Sequence, residues 1–257
     1  MLLPPSETKA VPPRRGAAVD LDRLSFPELT DLRKRVLEAL IETSARPDAL
    51  DRLDVGASLA HEVARNLTLP TAATRPAHAV YTGVLYDALG WPTLSASARR
   101  RGANRVLITS ALWGALRPND RVPSYRLSMD GDLPGLGPLA RLWRGVLPEL
   151  LVAAAGRRGV IVDCRSGPYA SAAPVTGPLA ARTVAVRILR QQDGRRSVVS
   201  HLAKHTRGEV TRHLLERDDD PRTPAALAAA VGLRWPVELS APAKPGTPWV
   251  LDVILHA

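Results

Sequence analysis

The sequence predicts an α/β fold, with α+β as the alternative, built on a mixed central sheet with surrounding helices. Short apolar runs rich in β-branched residues recur along the chain and are typical of buried strands. Longer segments between them have the three- and four-residue apolar spacing of helices. This alternation favours helices packed on a sheet. Because no internal repeat or low-complexity tail is visible, we expect a single domain over 1–257, with a helical sub-region at about 25–70.

Six segments are predicted to be strands because each is short, apolar and bounded by polar or turn-forming residues. In chain order they are residues 1–3, 105–109, 159–164, 183–189, 197–200 and 249–255. Asp193-Gly194 is typical of a hairpin turn and joins the fourth strand to the fifth. The first strand is very short, and we expect it to be incomplete.

The first helix is predicted to begin at Ser25, because Glu28 three residues later completes a capping-box pattern. Arg33, Lys34 and Arg35 lie mostly off its apolar face, so we expect them to be solvated. A helix end is expected at 95–102. Further helices are predicted at 139–155, bent at Pro148, and at 204–215 and 221–230.

The overall charge favours an anionic partner. There are 35 lysine and arginine residues against 25 acidic residues, which gives a formal net charge of +10. Nucleic acid, nucleotides and acidic membrane surfaces are the partner classes that this charge suits. The one cysteine, Cys164, excludes an internal disulfide framework and fits a reducing compartment. No signal peptide or membrane-spanning run is evident, so we expect a cytoplasmic protein without a membrane partner.

A possible DNA-binding hairpin lies within residues 48–66. The spacing of Val55, Gly56 and Ala60 resembles the second half of a helix-hairpin-helix motif, whose backbone N–H groups bind phosphates. However, Asp54 stands where the motif has its first glycine, and no lysine follows Gly56. A plain turn between two packed helices explains these residues equally well.

Several common chemistries lack their motifs. The sequence has no phosphate-binding Gly-Lys-Ser/Thr loop, no Gly-x-Gly-x-x-Gly, no His-Glu-x-x-His and no paired cysteines. We therefore predict no cofactor and no metal site. Cys164 ends a buried strand and is interpreted as a small core residue rather than a nucleophile.

Basic and hydroxyl residues follow the predicted strands, and these are the candidate anion-binding residues. They are Ser6, Lys9, Arg117, Tyr125, Arg126, Ser166, Tyr169, Lys204 and Arg207. If the strands lie side by side in one sheet, the loops after them converge at one end. Arginine and lysine gathered there would suit a phosphate or a carboxylate. Arg121, by contrast, is expected to be a solvated bystander.

Four segments carry a family resemblance: LLPPSETK, VYTG, SALWGALRPND with SYRLSM, and SHLAKHTRG. In this order they resemble the YaaA family of peroxide stress-response proteins. The resemblance implies a cytoplasmic protein that limits oxidative damage and free iron, with an α/β fold, a basic cleft, a helix-hairpin-helix element and affinity for double-stranded DNA. The positions that match the family pattern are Lys9, Tyr81, Gly83, Gly114, Arg117, Pro118, Tyr125, Arg126, Lys204, Arg207 and Gly208.

Three hypotheses follow. The leading one is a stress protein that limits damage by binding double-stranded DNA, without catalytic turnover. The alternative is an enzyme with a small nucleotide-like anion held by Lys9, Arg117, Arg126, Lys204 and Arg207. In such a site Lys9 or Lys204 is the candidate base or nucleophile. The third is a stress-linked interaction or iron-handling protein, for which the sequence offers no convincing metal ligands.

Overall fold

The computed structural model describes residues 1–256, and its centre is an eight-stranded sheet. The strands, labelled β1 to β8, are Leu2–Leu3, Leu107–Ser110, Gly114–Leu116, Ile161–Asp163, Thr183–Gln192, Arg195–Ser197, Val237–Ser240 and Trp249–His256. β1, β2, β4, β5 and β8 are parallel, whereas β3, β6 and β7 are each antiparallel to a neighbour. The predicted mixed sheet of an α/β protein is therefore confirmed.

The sheet order places β1 in the interior of the sheet. The order is β7-β8-β5-β4-β1-β2-β3, with β6 paired to the far end of β5. Leu2 on β1 lies opposite Leu107 of β2 on one side and Asp163 of β4 on the other. The segment that follows β1 therefore leaves the sheet between the segments that follow β2 and β4. Those three carboxyl ends form one edge of the sheet.

Helices cover the sheet and supply most of the remaining structure. The α-helices, labelled α1 to α12, are Thr30–Ser44, Ala49–Arg52, Ala60–Arg65, Ala77–Val80, Val84–Leu89, Ala96–Arg105, Leu139–Arg144, Leu147–Ala155, Gly167–Ala172, Gly177–Ala180, Ser200–Glu216 and Pro224–Gly232. Two small ribbons pair Arg75–Pro76 with Arg121–Val122 and Asp132–Leu133 with Gly137–Pro138. Among residues 1–256, no helix combines the length and apolar character needed to span a bilayer.

Two strand predictions need new boundaries. The strand expected at 105–109 begins at Leu107, because Arg105 is the last residue of α6. The strand expected at 197–200 ends at Ser197, and Ser200 already begins α11. β3 and β7 were not predicted from the sequence. Both are antiparallel strands at the two ends of the sheet.

Two helix predictions are also corrected. Residues 95–102 begin a helix, since the Ser95 hydroxyl accepts a hydrogen bond from the backbone N–H of Ala98 at the start of α6. The helix expected at 139–155 is two helices. Pro148 lies in the first turn of the second one, where a missing N–H costs little.

The prediction of a capping box at Ser25 is wrong. Ser25 donates its hydroxyl to the Asp120 carboxylate, 2.8 Å away, rather than capping a helix. Phe26 then adopts a left-handed conformation, and a 3₁₀ turn over Pro27–Leu29 precedes α1. The hydroxyl thus joins the start of this helix to a distant loop.

Arg33 is buried rather than solvated, with no exposed surface. Its guanidinium donates to the carbonyls of four residues, namely Ser25, Phe26, Trp113 and Ala115, at 2.8–3.2 Å. These carbonyls come from the turn before α1 and from the segment that enters β3. Arg33 therefore joins α1 to the edge of the sheet. Burial lowers its pKa to about 10, and the charges of Asp120 and Glu28 partly oppose that change.

α5 and α11 approach each other closely at Gly208. A Cβ at this position would overlap the carbonyl oxygen of Leu85 and lie 2.9 Å from the Cβ of Ala88. Both contacts belong to α5, so the two helices would have to separate. Gly208 therefore sets the distance between these helices.

We expect Gly208→Ala to lower the free energy of unfolding by about 2 kcal/mol, as overpacking does in well-packed interiors. The expected sign is notable because alanine is intrinsically favoured over glycine inside a helix by about 1 kcal/mol. Chemical denaturation measures the change. Gly232→Ala at the end of α12 is the control, since its Cβ would be 3.4 Å from Val237. Equal stability of the two variants would contradict the close approach.

Candidate functional site

The segment after β1 carries Lys9 to the carboxyl edge of the sheet and is held there by residues 80–82. Lys9 forms a β-bridge with Tyr81, and the N–H of Ala10 donates to the carbonyl of Val80 at 2.8 Å. The Ser6 hydroxyl accepts a hydrogen bond from the N–H of Thr82 at 3.1 Å. Ser6, a predicted anion ligand, thus takes part in fixing the loop.

Lys9 is the central residue of the candidate site. Its side chain is buried, and the residue is only 9% exposed. Nζ donates to two backbone carbonyls, those of Ser6 at 3.0 Å and Glu7 at 3.1 Å. Its other close neighbours are aromatic faces, with the ring centroid of Tyr125 at 4.3 Å and that of Tyr81 at 5.9 Å. Among residues 1–256, no carboxylate lies within salt-bridge distance of this amine.

This environment lowers the pKa of Lys9 to about 7. Burial is the largest cause, because the charged form loses its hydration, and the positive charge of Arg126 acts in the same direction. Glu62 and Glu7 oppose the change. A substantial share of the Lys9 side chains is therefore neutral at neutral pH, and a neutral amine is a base and a nucleophile.

The four tyrosines of the chain are far apart in sequence but form one cluster, in which Tyr81 and Tyr125 contact Lys9. The hydroxyls of Tyr81 and Tyr125 share a hydrogen bond of 3.1 Å, and the Ser110 hydroxyl lies 2.7 Å from that of Tyr125. Tyr86 is 5.6 Å from Tyr81 between ring centroids, and Tyr169 is close enough to Tyr125 for its charge to act on the Tyr169 pKa. Burial raises the pKa of all four phenols, so they stay protonated and can donate.

Arg126 borders Lys9 and is held loosely by two carboxylates. Its guanidinium is 3.6 Å from Glu7 and 3.5 Å from Glu62 on α3, beyond the usual length of a charged hydrogen bond. By contrast, Arg165 reaches Asp163 at 2.7 Å. The backbone of Arg126 is firmly fixed, because it exchanges two 2.9 Å hydrogen bonds with the side chain of Asn66. A fixed backbone and an under-bonded guanidinium suit the capture of an anion.

We call Glu7, Lys9, Tyr81, Tyr125 and Arg126 the Lys9 cluster. Tyr169 reaches it from α9, the helix after β4. Ser166 lies at the start of the same helix and is half-buried, but its hydroxyl does not cap the helix. The predicted convergence of the segments after β1, β2 and β4 is therefore found for Lys9, Tyr125, Arg126 and Tyr169.

Arg117 does not join them, and the expectation that it would is wrong. After β2 the chain reverses and returns as β3, which pairs Ser110 with Gly114 and Ile108 with Leu116. The reversal carries Arg117 back to the amino end of β2, where its Nη1 donates to the carbonyl of Asn104 at 2.6 Å. There it lines a separate cavity of about 280 Å³.

Lys204 and Arg207 both lie on α11, but in different surroundings. Lys204 is exposed, whereas Arg207 is half-buried and donates from Nε to the carbonyl of Val186 on β5 at 3.2 Å. The Arg207 charge acts on Cys164. The charges that shift the Lys9 pKa belong instead to Arg126, Glu62 and Glu7. The five predicted cations therefore do not form one pocket.

The predicted hairpin segment forms two short helices, α2 and α3, joined by a turn. Leu53 and Val63 are buried, while Gly56 and its two following residues are exposed. A Cβ at Gly56 would meet nothing within 4 Å. Val55 is half-buried and Ala60 is exposed at the start of α3. The turn is thus open to solvent.

A basic cavity lies beside α3, and we call it the arginine cavity. It has a volume of about 350 Å³ and is lined by Arg14, Arg15 and Arg65 together with Thr68 and Thr71. Within residues 1–256, the three guanidiniums take part in no ion pair and no side-chain hydrogen bond. Two contacts connect the cavity to the Lys9 cluster. The Ser124 hydroxyl donates to the Ala10 carbonyl at 2.7 Å, and Asn66, next to Arg65, binds Arg126.

Sequence reasoning missed several of these residues. They are Glu7, Glu62, Tyr86, Ser110, Arg14, Arg15 and Arg65. Tyr86 could have been suspected from composition, because the chain has only four tyrosines and the other three lie in or beside segments already chosen. No sequence pattern pointed to the arginines of the cavity, because Arg14 and Arg65 come together only in the folded chain.

A mainly parallel sheet covered by helices, with polar residues gathered at its carboxyl edge, defines a protein of the α/β class. The chain belongs to the YaaA family, since the family model described as peroxide stress protein YaaA matches residues 1–232. A UPF0246 protein of Streptomyces coelicolor is 48% identical over 259 residues, covering 100% of this chain and 98% of the relative. UPF0246 proteins of Corynebacterium efficiens and Corynebacterium glutamicum strain R are 40% and 35% identical, covering 89% and 91% of this chain and 89% and 93% of the relatives.

The family name assigns a role in the peroxide stress response. Cys164 does not supply a reactive thiolate for it. The thiol is fully buried, and burial raises its pKa to about 11. A thiol that is protonated at neutral pH reacts slowly with oxidants.

Proposed function

We propose that this protein limits damage in the cytoplasm during peroxide stress by binding double-stranded DNA. The observation that carries the proposal is the arginine cavity, which is lined by three arginines that form no ion pair within residues 1–256. Clustered like charges destabilise a fold unless a counter-charge is bound. A DNA backbone supplies regularly spaced phosphates that would provide it.

The surroundings of the cavity support the same partner. Arg65 is the last residue of α3, and the exposed turn at Gly56 lies at the other end of that helix. An open glycine turn leaves backbone N–H groups accessible to phosphate oxygens. We propose this turn, with Val55 and Ala60 on either side, as a second phosphate contact, and Arg126 as a third. The exposed Asp54 disfavours phosphate on its own side of the turn.

We expect duplex affinity to fall steeply with added salt, because neutralised phosphates release condensed counterions. The triple variant Arg14→Gln, Arg15→Gln, Arg65→Gln should bind more weakly and lower the log–log salt slope by about 0.9 for each lost phosphate contact. Fluorescence anisotropy with a labelled duplex at several salt concentrations measures both quantities.

The matched control removes the same charge elsewhere. Arg100, Arg195 and Arg222 are exposed and lie on α6, on β6 and before α12. Their replacement by glutamine should leave the salt slope nearly unchanged. Binding that ignores salt, or an equal loss in both triple variants, would reject the proposed surface.

An enzyme acting on a small anion is the second candidate function, and the buried amine of Lys9 is the observation that favours it. Burying a charged side chain without a carboxylate partner opposes folding. A purely structural role therefore does not explain why a lysine occupies this position. For this candidate we propose Lys9 and Arg126 alone, since Arg117 lies at the other edge of the sheet, Lys204 is exposed and Arg207 donates to Val186.

A further inference from the structure

The contacts of Lys9 can be made by a neutral amine, the form that its lowered pKa favours. Such an amine has two N–H groups and one lone pair, and Nζ meets two carbonyl acceptors, at Ser6 and Glu7. These acceptors engage both N–H groups and leave the lone pair free. The rings of Tyr81 and Tyr125 flank Nζ, and Lys9 is only 9% exposed. A desolvated amine with a free lone pair condenses readily with carbonyl compounds.

The hydroxyls next to Lys9 can serve the same condensation. Tyr125 lies between the hydroxyls of Ser110 and Tyr81, at 2.7 and 3.1 Å. Its ring is also the nearest aromatic face to Nζ. Because burial keeps the Tyr125 phenol protonated, this chain of hydroxyls can relay a proton from the reacting nitrogen to an oxygen that leaves as water.

The remaining recognition group is Arg126. Its two carboxylate contacts are long, so an incoming phosphate could replace them with shorter, charge-assisted bonds. A ligand that uses both groups carries an aldehyde carbon for Lys9 and a phosphate for Arg126. That combination occurs in sugar phosphates, and in DNA it occurs where a base has been lost.

We infer that Lys9 forms an imine with an aldehyde that also carries a phosphate bound by Arg126, and that an abasic site in duplex DNA supplies it. The choice of DNA rests on the proposed function. The neutral amine adds to the aldehyde carbon and gives a carbinolamine. Loss of its hydroxyl as water uses a proton from the tyrosine hydroxyls, which take back the remaining N–H proton of the carbinolamine, and the neutral C=N bond remains.

Reductive trapping tests the inference. The full-length protein is mixed with a duplex oligonucleotide containing one abasic site, in the presence of sodium borohydride, which reduces an imine to a stable secondary amine. We expect a covalent adduct that peptide mass spectrometry places on Lys9. The mapping is simple because the other lysines are Lys34, Lys204 and Lys244.

Variants separate the roles of the two residues. Lys9→Arg keeps the positive charge but cannot form an imine, so its adduct should disappear, while Lys244→Arg at an exposed position should retain it. Arg126→Gln should lower the trapping rate by about tenfold, the value of one charge-assisted hydrogen bond. It should have little effect with glyceraldehyde, which has no phosphate.

Glyceraldehyde 3-phosphate distinguishes the two sources of the aldehyde. Trapping with this compound but not with abasic DNA would keep the imine at Lys9 and reject DNA as the source. An adduct on another lysine, or none with either compound, would overturn the inference even if Lys9→Arg fails to fold. Anisotropy with intact duplex is measured on the same samples. DNA binding without an adduct rejects only the imine, whereas an adduct without DNA binding rejects only the proposed function.

Discussion

Replacing Arg33 with methionine is expected to lower the free energy of unfolding by about 4 kcal/mol, since the loss of one partner from a buried charged network typically costs 3–5 kcal/mol. Methionine restores most of the buried volume but none of the five N–H donors. The carbonyls of Ser25, Phe26, Trp113 and Ala115 would then lose their shared partner. Each unsatisfied buried carbonyl opposes folding.

Urea denaturation measures this effect, and the neighbouring residue provides the control. Arg35 is on the same helix but exposed, so Arg35→Met should change stability by less than about 0.5 kcal/mol. Arg33→Lys should recover only part of the loss, because an ammonium cannot match the planar guanidinium. Similar stabilities for the Arg33 and Arg35 methionine variants would show that the four carbonyls find other partners.

We expect Lys9→Met to gain stability relative to the natural protein as the pH falls from about 9.5 to about 7. Over this interval the free energy of unfolding of the variant should rise by about 3 kcal/mol relative to that of the natural protein, because one pKa unit corresponds to about 1.36 kcal/mol. The Lys9 pKa is about 7 in the folded protein, against the ordinary lysine value of 10.5 in the unfolded chain. Between these values the unfolded chain binds the proton and the folded chain does not. Folding therefore releases a proton, and the natural protein gains stability as the pH rises through this interval.

Comparison with the variant isolates this dependence on Lys9. The two proteins differ at this one titratable residue. The lost contacts to the two carbonyls and to the rings of Tyr81 and Tyr125 add a shift that does not depend on pH. Thermal unfolding at a series of pH values gives the slope. Lys244→Met, at an exposed position, should track the natural protein, and a flat Lys9→Met difference would mean that Lys9 stays charged.

The parts of the site that sequence reasoning placed well depend on a simple rule of sheet geometry. Lys9 and Tyr169 follow the neighbouring strands β1 and β4, and the carboxyl ends of neighbouring parallel strands share one edge. Knowing only that these segments were strands was enough to bring the residues near one another.

The errors arise where long-range contacts decide the outcome. Arg117 was misplaced because the reversal into β3 depends on Gly114, which has φ of +71° and packs against Trp143. No local pattern reveals that packing. Arg33 lies off the apolar face of α1, as a solvated residue would. Its carbonyl partners Trp113 and Ala115 are 80 and 82 residues away in sequence. Propensity describes neighbours in sequence, whereas these side chains respond to neighbours in space.

Because the four tyrosines form one cluster at Lys9, their ring signals can report on this site in solution. Isotope labelling of tyrosine rings would introduce only four labelled side chains, all in this region. The unlabelled residues would give no signal in the corresponding NMR spectrum. Their resonances would report titration of Lys9, entry of a phosphate beside Arg126 or imine formation as separate changes. Amino-acid composition thus supplies a built-in probe that needs no engineered cysteine or attached dye.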